Sequence, residues 1–393
     1  MYKKIIFGTL ILILISFLGY FYYLNYLKEP EVVIEAPYDP FQDILLQTKE
    51  ICLDYETKQF AFYLDEPDDF KQNNKFGLYI YAERQDFFEL ASELVNSNGG
   101  TWGYVLIPYN VKDRDSVKWK RVFSDLNRLK LIPVVQLWDV DLDKYESQTK
   151  GAAKFLDTFD WPIKPRYISV YNEMNDSKFW YGKIDPVEYA EILDYTIRTF
   201  KEADENFMMM NGAFNVSANN SRTTVDSYYY MKKMNDAVPG IFNKLDAWAA
   251  HAYPQPNFTG SPYSKGRWSI QSYEDELNFL KNKLGLKKDL PVFITETGWA
   301  HMEGESLDDS FLSEEQVAEN YKIAYQEIWL KDPKIRAVMP FTIKYNTPFD
   351  HFSWIKSDYI SKYKQFETIK NLPKIKANPP YLVKGSIKIP KCN

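Results

Sequence analysis

The sequence predicts an α/β fold, a (β/α)₈ TIM barrel preceded by a single N-terminal transmembrane helix. Eight short apolar runs alternate with longer amphipathic segments after residue 76, which is typical of a parallel barrel. An uncharged apolar segment occupies the N-terminus, and 393 residues are enough for one barrel with a stem.

The first 28 residues are predicted to anchor the protein in a membrane. Lys3 and Lys4 precede an uncharged run from Ile5 to Leu27, which at about 1.5 Å per residue is long enough to cross a bilayer. The leading lysines predict a cytoplasmic N-terminus, with everything after Lys28 outside. A cleaved signal peptide, which would leave the protein secreted, is the alternative. We favour an uncleaved signal-anchor because Leu24–Leu27 lacks the small residues of a cleavage site.

The predicted domain order continues with a stem and lead-in segment at 29–75. Its first part is rich in proline and acidic residues, and a helix-compatible stretch follows from Gln42 to about Phe60. Residues 76–371 form the predicted barrel domain, and 372–393 a tail that either wraps the barrel or hangs free. Cys52 and Cys392 lie on either side of the barrel. A disulfide between them and two free thiols are both compatible with the sequence.

Strands and helices follow from the spacing of apolar residues. The predicted strands are Gly77–Ala82, Gly103–Pro108, Ile132–Leu137, Tyr167–Tyr171, Phe207–Asn211, Ala247–His251, Val292–Thr295 and Ala337–Ile343. Predicted helices include Phe87–Asn96, Ser116–Leu129, Val187–Glu202, Tyr273–Leu284, Glu314–Leu330 and Tyr359–Asn371. Asp185 before Pro186 predicts one helix start, and Ser313 with Gln316 predicts a capping box. An open doubly wound sheet fits less well, because no GxGxxG follows the first strand.

Composition and missing motifs exclude several function classes. The net charge of −6 and the lack of a basic cluster in the barrel region argue against a nucleic-acid partner. Two cysteines cannot form a CxxC metal site, and His251, His301 and His351 lie on separate loops without metal-ligand spacing. We therefore expect neither a metal nor a cofactor. The GxSxG motif of a serine hydrolase is also absent.

Two carboxylates stand where barrel strands end, at the edge where the active sites of such barrels lie. The fourth apolar run ends at Tyr171 and is followed by Asn172-Glu173, and the seventh is followed by Glu296. Strands four and seven lie on opposite sides of a barrel mouth. A pair of carboxyl groups about 5–5.5 Å apart is what glycoside hydrolysis with retention requires. Glu173 and Glu296 are therefore the predicted catalytic residues.

These residues resemble the motifs of glycoside hydrolase clan A, the retaining barrel glycosidases, and are closest to families 39 and 5. The resemblance rests on Asn172-Glu173 after strand four, Glu296 after strand seven, and His251-Ala-Tyr253 after strand six. It implies that Glu173 is the acid/base and Glu296 the nucleophile. It also implies that Asn172 binds the sugar 2-hydroxyl, and that His251 and Tyr253 orient Glu296 and the glycone.

The chain departs from the clan pattern at two places. Met174 stands where the clan commonly has proline, and many members carry a tryptophan at the end of strand eight. Here that strand is expected to end near Lys344-Tyr345. The second departure leaves the sugar preference open.

Tryptophans on the loops are predicted platforms for sugar rings, because an indole face stacks on the apolar face of a sugar. Trp138 ends strand three, Trp180 lies in the loop after strand four, and Trp299 follows the nucleophile. The sequence thus predicts a retaining glycoside hydrolase that acts on an extracellular or cell-surface poly- or oligosaccharide. The alternatives are a transglycosylase with the same residues and a catalytically inactive, membrane-tethered carbohydrate-binding barrel. The sugar, the linkage and the oligomeric state stay open.

Overall fold

The computed structural model describes residues 54–64 and 73–391. It divides into two compact units, one formed by Phe60–Gly385 and the other by Met1–Gln59 with Ser386–Asn393. The predicted anchor, most of the predicted stem and both cysteines lie outside the described residues. Among the residues that are described, no helix is long and apolar enough to span a bilayer.

Eight parallel strands form the centre of the larger unit. They run in two sheets, the first of five strands and the second of three. The five are β2 (Gly77–Tyr79), β3 (Gly103–Asn110), β4 (Leu131–Trp138), β5 (Arg166–Val170) and β6 (Phe207–Asn211), and the three are β7 (Trp248–His251), β8 (Val292–Glu296) and β9 (Ile335–Val338). Single parallel bridges from Met210 to Ala247 and from Phe76 to Val338 join the two sheets at both edges. The strands therefore close into a ring, consistent with a TIM barrel, and each predicted apolar run overlaps one of them.

A helix follows each of the eight strands of the ring. They are α1 (Gln85–Val95), α2 (Ser116–Arg128), α3 (Tyr145–Asp157), α4 (Pro186–Ala203), α5 (Ser227–Ala237), α6 (Ser272–Leu284), α7 (Glu314–Ile323) and α8 (Lys364–Lys370). Both predicted helix starts are confirmed. The Asp185 carboxylate accepts a hydrogen bond from the Glu188 amide, and Ser313 with Gln316 forms the capping box of α7. The helix predicted to reach Leu330 continues past α7 as a wider π-type turn over Ala324–Trp329.

Alternating side chains of the strands build two cores. On β3, Tyr104 and Leu106 point into the ring with Phe293 of β8, whereas Val105 and Ile107 pack outward against the helices. All five side chains are fully buried. This alternation is the period of two that a strand imposes on its side chains. It also fixes which residues near the strand ends face the mouth of the barrel.

The residues after Leu372 contact the barrel as far as Gly385, so this part of the predicted tail wraps rather than hangs free. Thr101 donates its hydroxyl proton to the Ala377 carbonyl, and Tyr381 bridges to Ile163 at the start of β5. Lys374 donates to the carbonyls that end α8, and burial lowers the pKa of this lysine to about 8. These contacts lie at the amino ends of the barrel strands, opposite the mouth.

The predicted helix from Gln42 to Phe60 is wrong for its described part. Residues 54–60 belong to strand β1 (Asp54–Leu64), which pairs with β10 (Tyr381–Lys391) in a two-stranded sheet. The partner strand comes from the opposite end of the chain. Local apolar spacing carries no information about such a distant partner, so it cannot predict the strand.

Candidate active site

A cavity of about 570 Å³ opens at the carboxyl ends of the barrel strands. Six of the eight predicted site residues line this cavity. Five of them come from the ends of β5, β7 and β8 and the loops that follow, and the sixth ends β4. These six are Trp138, Asn172, Glu173, His251, Tyr253 and Glu296. The structure thus brings together both predicted carboxylates and the residues predicted to orient them.

Glu173 lies on a sharp turn where β5 enters its loop. Its φ angle is +44°, and that of Tyr171 is +70°, so two non-glycine residues adopt left-handed backbone conformations. Each costs of order 1 kcal/mol, and neighbouring structure must hold it in place. The Glu173 amide donates to the Ala213 carbonyl (2.9 Å), and a Cβ on Gly212 would lie 2.7 Å from the Tyr171 carbonyl oxygen. Glycine at 212 therefore lets the loop after β6 support the turn that carries Glu173 at close range.

Asn175 fastens the same turn from its other side. Its side chain is fully buried, donates to the Asn215 and Val225 carbonyls, and accepts from the Asn215 amide. These three hydrogen bonds tie the loop after β5 to the loop after β6. Glu173 is held by backbone contacts on both sides, which suits a residue that must keep its geometry during a reaction.

Glu296 is the last residue of β8 and is only 9% exposed. The Tyr253 hydroxyl donates to its Oε2 at 2.9 Å. This contact agrees with the predicted role of Tyr253, because a hydrogen bond to a carboxylate both orients it and favours its ionised form.

His251 lies between the two carboxyl groups. Its Nδ1 is 2.8 Å from Glu173 Oε1, whereas its Nε2 is 3.6 Å from Glu296 Oε1, too far for a hydrogen bond. The expectation that His251 orients Glu296 is therefore corrected: its hydrogen bond goes to Glu173. One imidazole nitrogen of His251 and one carboxylate oxygen from each of Glu173 and Glu296 lie within 4.8 Å of one another. An oxygen of Glu173 therefore comes within 4.8 Å of an oxygen of Glu296.

Burial and neighbouring charges shift the pKa values of Glu296 and His251. Burial raises the pKa of Glu296 to about 7, and the adjacent Glu173 adds to the rise, while His251 and the Tyr253 hydroxyl oppose it. Burial by itself would lower the pKa of His251, but Glu296 and Glu173 together raise it above its usual value. A proton bound by Glu296 therefore changes the proton affinity of His251, and the reverse also holds.

Asn172 directly precedes Glu173 and is 6% exposed. Gln136 of β4 donates from Nε2 to Asn172 Oδ1 at 3.0 Å. Sequence reasoning missed Gln136. Its signal was a single amide inside an otherwise apolar run, on the same face of the strand as Ile132, Val134 and Trp138.

Aromatic side chains form much of the cavity wall. Trp138 ends β4, is 40% exposed and stacks edge-on against Phe179, which confirms its predicted position at the mouth. At the end of the eighth strand, the cavity receives Phe341 and Tyr345. That strand ends at Val338, earlier than expected, so Phe341 as well as Tyr345 reaches the site.

Two predicted sugar platforms are wrong. Trp299 is 1% exposed, donates to the Gly260 carbonyl and packs on Tyr321, outside the cavity lining. Trp180 is equally buried and donates to Glu188 of α4. Each indole has an internal partner for its N–H group, so both act in packing. Chain position near a strand end did not reveal which way either ring points.

His301 and His351 are buried structural residues, not surface ones. His301 Nε2 lies 2.9 Å from the Ser353 carbonyl oxygen, and His351 Nδ1 lies 2.9 Å from the His301 carbonyl oxygen. Burial lowers the pKa of His301 to about 4, so it is neutral at physiological pH. The two rings connect the loops after β8 and β9 at one side of the mouth.

The cluster of Glu173, His251 and Glu296 is also the one group of the described residues whose donor atoms could surround a metal ion. The sequence did not predict this cluster, because the spacing of the three histidines along the chain does not reveal that His251 lies beside the two carboxylates. Two carboxylates and one imidazole would suit a divalent cation as well as acid/base chemistry.

Comparisons with known proteins agree on the fold. No family model matches the sequence, and no curated protein matches it. A GH128 (subgroup II) endo-β-1,3-glucanase from Pseudomonas viridiflava is similar in structure, with a TM-score of 0.50 and 15% identity over 76% of this chain and 98% of that one. A monomeric β-xylosidase from Caulobacter crescentus CB15 has a TM-score of 0.52 and 15% identity over 82% of this chain and 71% of that one. The predicted resemblance is thereby confirmed at the level of the fold, which is consistent with that of the clan A glycosidases.

Proposed function

We propose that the protein is a retaining glycoside hydrolase that cleaves O-glycosidic bonds of a poly- or oligosaccharide by double displacement. One observation carries the proposal: an oxygen of Glu173 and an oxygen of Glu296 lie within 4.8 Å of each other across the barrel mouth. Retaining enzymes hold their carboxyl groups about 5–5.5 Å apart, whereas inverting enzymes need about 6.5–9.5 Å to admit a water molecule. The close approach of these two oxygens, one from each carboxylate, therefore favours the retaining arrangement. The glycosidase fold and the aromatic cavity support the same conclusion.

In the first step, Glu173 gives a proton to the glycosidic oxygen and Glu296 attacks the anomeric carbon. The bond from that carbon to the leaving oxygen breaks, and an ester between the sugar and Glu296 forms. The hydrogen bond from the Tyr253 hydroxyl to Glu296 weakens in this step, because the carboxylate loses its negative charge when it forms the new bond.

In the second step, Glu173 has lost its proton and acts as a base. It takes a proton from water, whose oxygen attacks the anomeric carbon and displaces Glu296 as a carboxylate. Two inversions give net retention. His251, which is hydrogen-bonded to Glu173 and close to Glu296, holds the acid/base in the same place through both steps.

Substrate contacts follow from the cavity lining. Asn172 is assigned to the hydroxyl next to the anomeric carbon, and Phe341 and Trp138 to the faces of successive sugar rings. Trp138 is partly exposed at the rim, so a chain can extend past it, which favours endo action. Exclusive release of monosaccharides from polymer ends would overturn that part of the proposal.

The proposed location is outside the cell, with residues 1–28 as the membrane anchor and the barrel exposed to extracytoplasmic polysaccharide. The apolar run from Ile5 to Leu27 supports this proposal. Detergent-dependent extraction of the full chain from membranes, and protease access to the barrel from outside the cell, would test it. Recovery of the full-length chain in the soluble fraction would contradict it.

A metal-dependent hydrolase is the second candidate, because Glu173, His251 and Glu296 could together bind a divalent cation. The hydrogen bond between His251 Nδ1 and Glu173 Oε1 favours the glycosidase, because it pairs two members of the group directly, without an ion between them. A transglycosylase would use the same residues with a sugar hydroxyl in place of water.

Product stereochemistry tests the proposal. Proton NMR is recorded at once on the digest of an oligosaccharide that the protein cleaves. The first product should have the same anomeric configuration as the cleaved bond, and the other anomer should appear only later, by mutarotation. The Glu173→Gln and Glu296→Gln variants should be at least 1,000-fold slower, in line with the loss of both chemical steps. First appearance of the inverted anomer would refute double displacement. Saccharide binding without turnover by the wild type would favour the carbohydrate-binding alternative.

A further inference from the structure

Gln136 and Asn172 form an amide pair at the floor of the cavity. Gln136 is 1% exposed and Asn172 is 6% exposed, so the pair is shielded from bulk water. The Gln136 Nε2 atom lies 3.0 Å from Asn172 Oδ1. Strand β4 supplies the first residue and the loop after β5 the second, and both line the cavity.

The pair restricts which end of the Asn172 amide faces a ligand. An asparagine side chain has one carbonyl oxygen, which accepts, and one NH₂ group, which donates. Because Gln136 occupies the Asn172 oxygen, the NH₂ group is left to face the cavity. Within the described part of the chain, this NH₂ group donates to no protein atom. Without Gln136, the Asn172 amide could rotate by 180° at little cost and present its oxygen instead.

We propose that Gln136 is a positioning residue that fixes Asn172 as a hydrogen-bond donor toward the sugar hydroxyl adjacent to the anomeric carbon. This inference rests on the proposed function, since it takes Asn172 to face a bound sugar. Gln136 itself need not touch the substrate. Its contribution is to exclude the flipped amide, so that the site recognises the oxygen of that hydroxyl in one defined way.

The test compares sugars that differ only at that hydroxyl. Matched pairs of 4-nitrophenyl β-glucoside and β-xyloside with their 2-deoxy counterparts are titrated against Glu296→Gln protein, which binds without turnover, and hydrolysed by protein with intact Glu296. The quantity of interest is the ratio of affinities, and of kcat/KM, between each 2-hydroxy sugar and its 2-deoxy partner. One oriented hydrogen bond corresponds to a ratio of about tenfold.

Gln136→Met keeps the side-chain length and removes the hydrogen bond. The ratio should fall from about tenfold to about the value that Asn172→Ala gives, and the double variant should show no further loss. Gln365→Met is the matched control. Gln365 is also 1% exposed and donates to a carbonyl, that of Ser353, but it does not line the cavity. It should lower stability without changing the ratio.

A ratio that survives Gln136→Met, or that falls equally with Gln365→Met, would overturn the inference. A reduced affinity for both members of each pair, with the ratio intact, would also overturn it, because it would indicate a structural role alone. Collapse of the binding ratio in a protein that hydrolyses nothing would support the inference while refuting the proposed function.

Discussion

Tyr253→Phe tests the electrostatics of the site most sharply. The Tyr253 hydroxyl donates to Glu296 at 2.9 Å and favours the ionised carboxylate, while burial raises the pKa of Glu296 to about 7. A nucleophile must be ionised, so kcat/KM of the wild type should rise with pH, with an acidic limb raised toward 7. A hydrogen bond to a charged group contributes about 1.5–3 kcal/mol, and one pKa unit corresponds to about 1.4 kcal/mol. Removing the hydroxyl should therefore move the acidic limb upward by about one to two pH units.

The assay is the pH profile of kcat/KM on an aryl glycoside, which reports the free enzyme. Tyr79→Phe is the matched control, because Tyr79 also lines the cavity but donates no hydrogen bond to Glu296. Its acidic limb should move by much less. An acidic limb of Tyr253→Phe that stays in place or moves downward would refute the reasoning, whatever the loss of absolute rate.

Three further predictions concern stability, substrate binding and metals. Burial raises the pKa of Glu276 in α6 to about 8, so its stabilising contribution is complete below about pH 4.5 and is lost as the pH rises through 8. Urea unfolding should therefore show that the free energy of unfolding of Glu276→Gln, relative to that of the wild type, rises by up to about 4 kcal/mol between pH 5 and pH 8. An equal pH dependence of the two proteins would contradict this. Trp138→Ala should raise KM for oligosaccharides roughly tenfold and leave the free energy of unfolding nearly unchanged. Trp299→Ala should lower the free energy of unfolding by about 3 kcal/mol and leave KM unchanged. The reverse pattern would restore Trp299 as a sugar platform. Activity should survive dialysis against a chelator, and loss that Mn²⁺ or Zn²⁺ restores would favour the metal-dependent candidate.

The sequence predicted the ring of strands well because each strand is a short, continuous apolar run buried on both faces. The carboxylates were found for the same reason. Glu173 and Glu296 interrupt such runs where strands end, and the carboxyl ends of parallel strands meet at one mouth. Their neighbours His251 and Tyr253 were found through the clan resemblance, although only the structure reveals that His251 binds Glu173.

Side-chain direction in loops could not be predicted from the sequence. Trp138 is the last residue of β4 and continues the inward alternation of its strand, whereas Trp299 follows β8 and Trp180 lies further along the loop after β5. The other two lie beyond the last regular residue, where the period of two no longer applies. Gln136 was missed because an amide in a strand has no meaning until its partner, Asn172, is known. Strand β1 was missed because its partner lies at the opposite end of the chain.

Covalent trapping tests the central claim most directly. Wild-type protein and Glu296→Gln are incubated with a panel of activated 2-fluoro glycosides, and their intact masses are measured. The account predicts one added fluoroglycosyl group on the wild type, located by peptide mapping at Glu296 and absent from the variant. Hydrolysis of the parent glycoside without any adduct, or an adduct on Glu173, would contradict the assignment of Glu296 as the nucleophile.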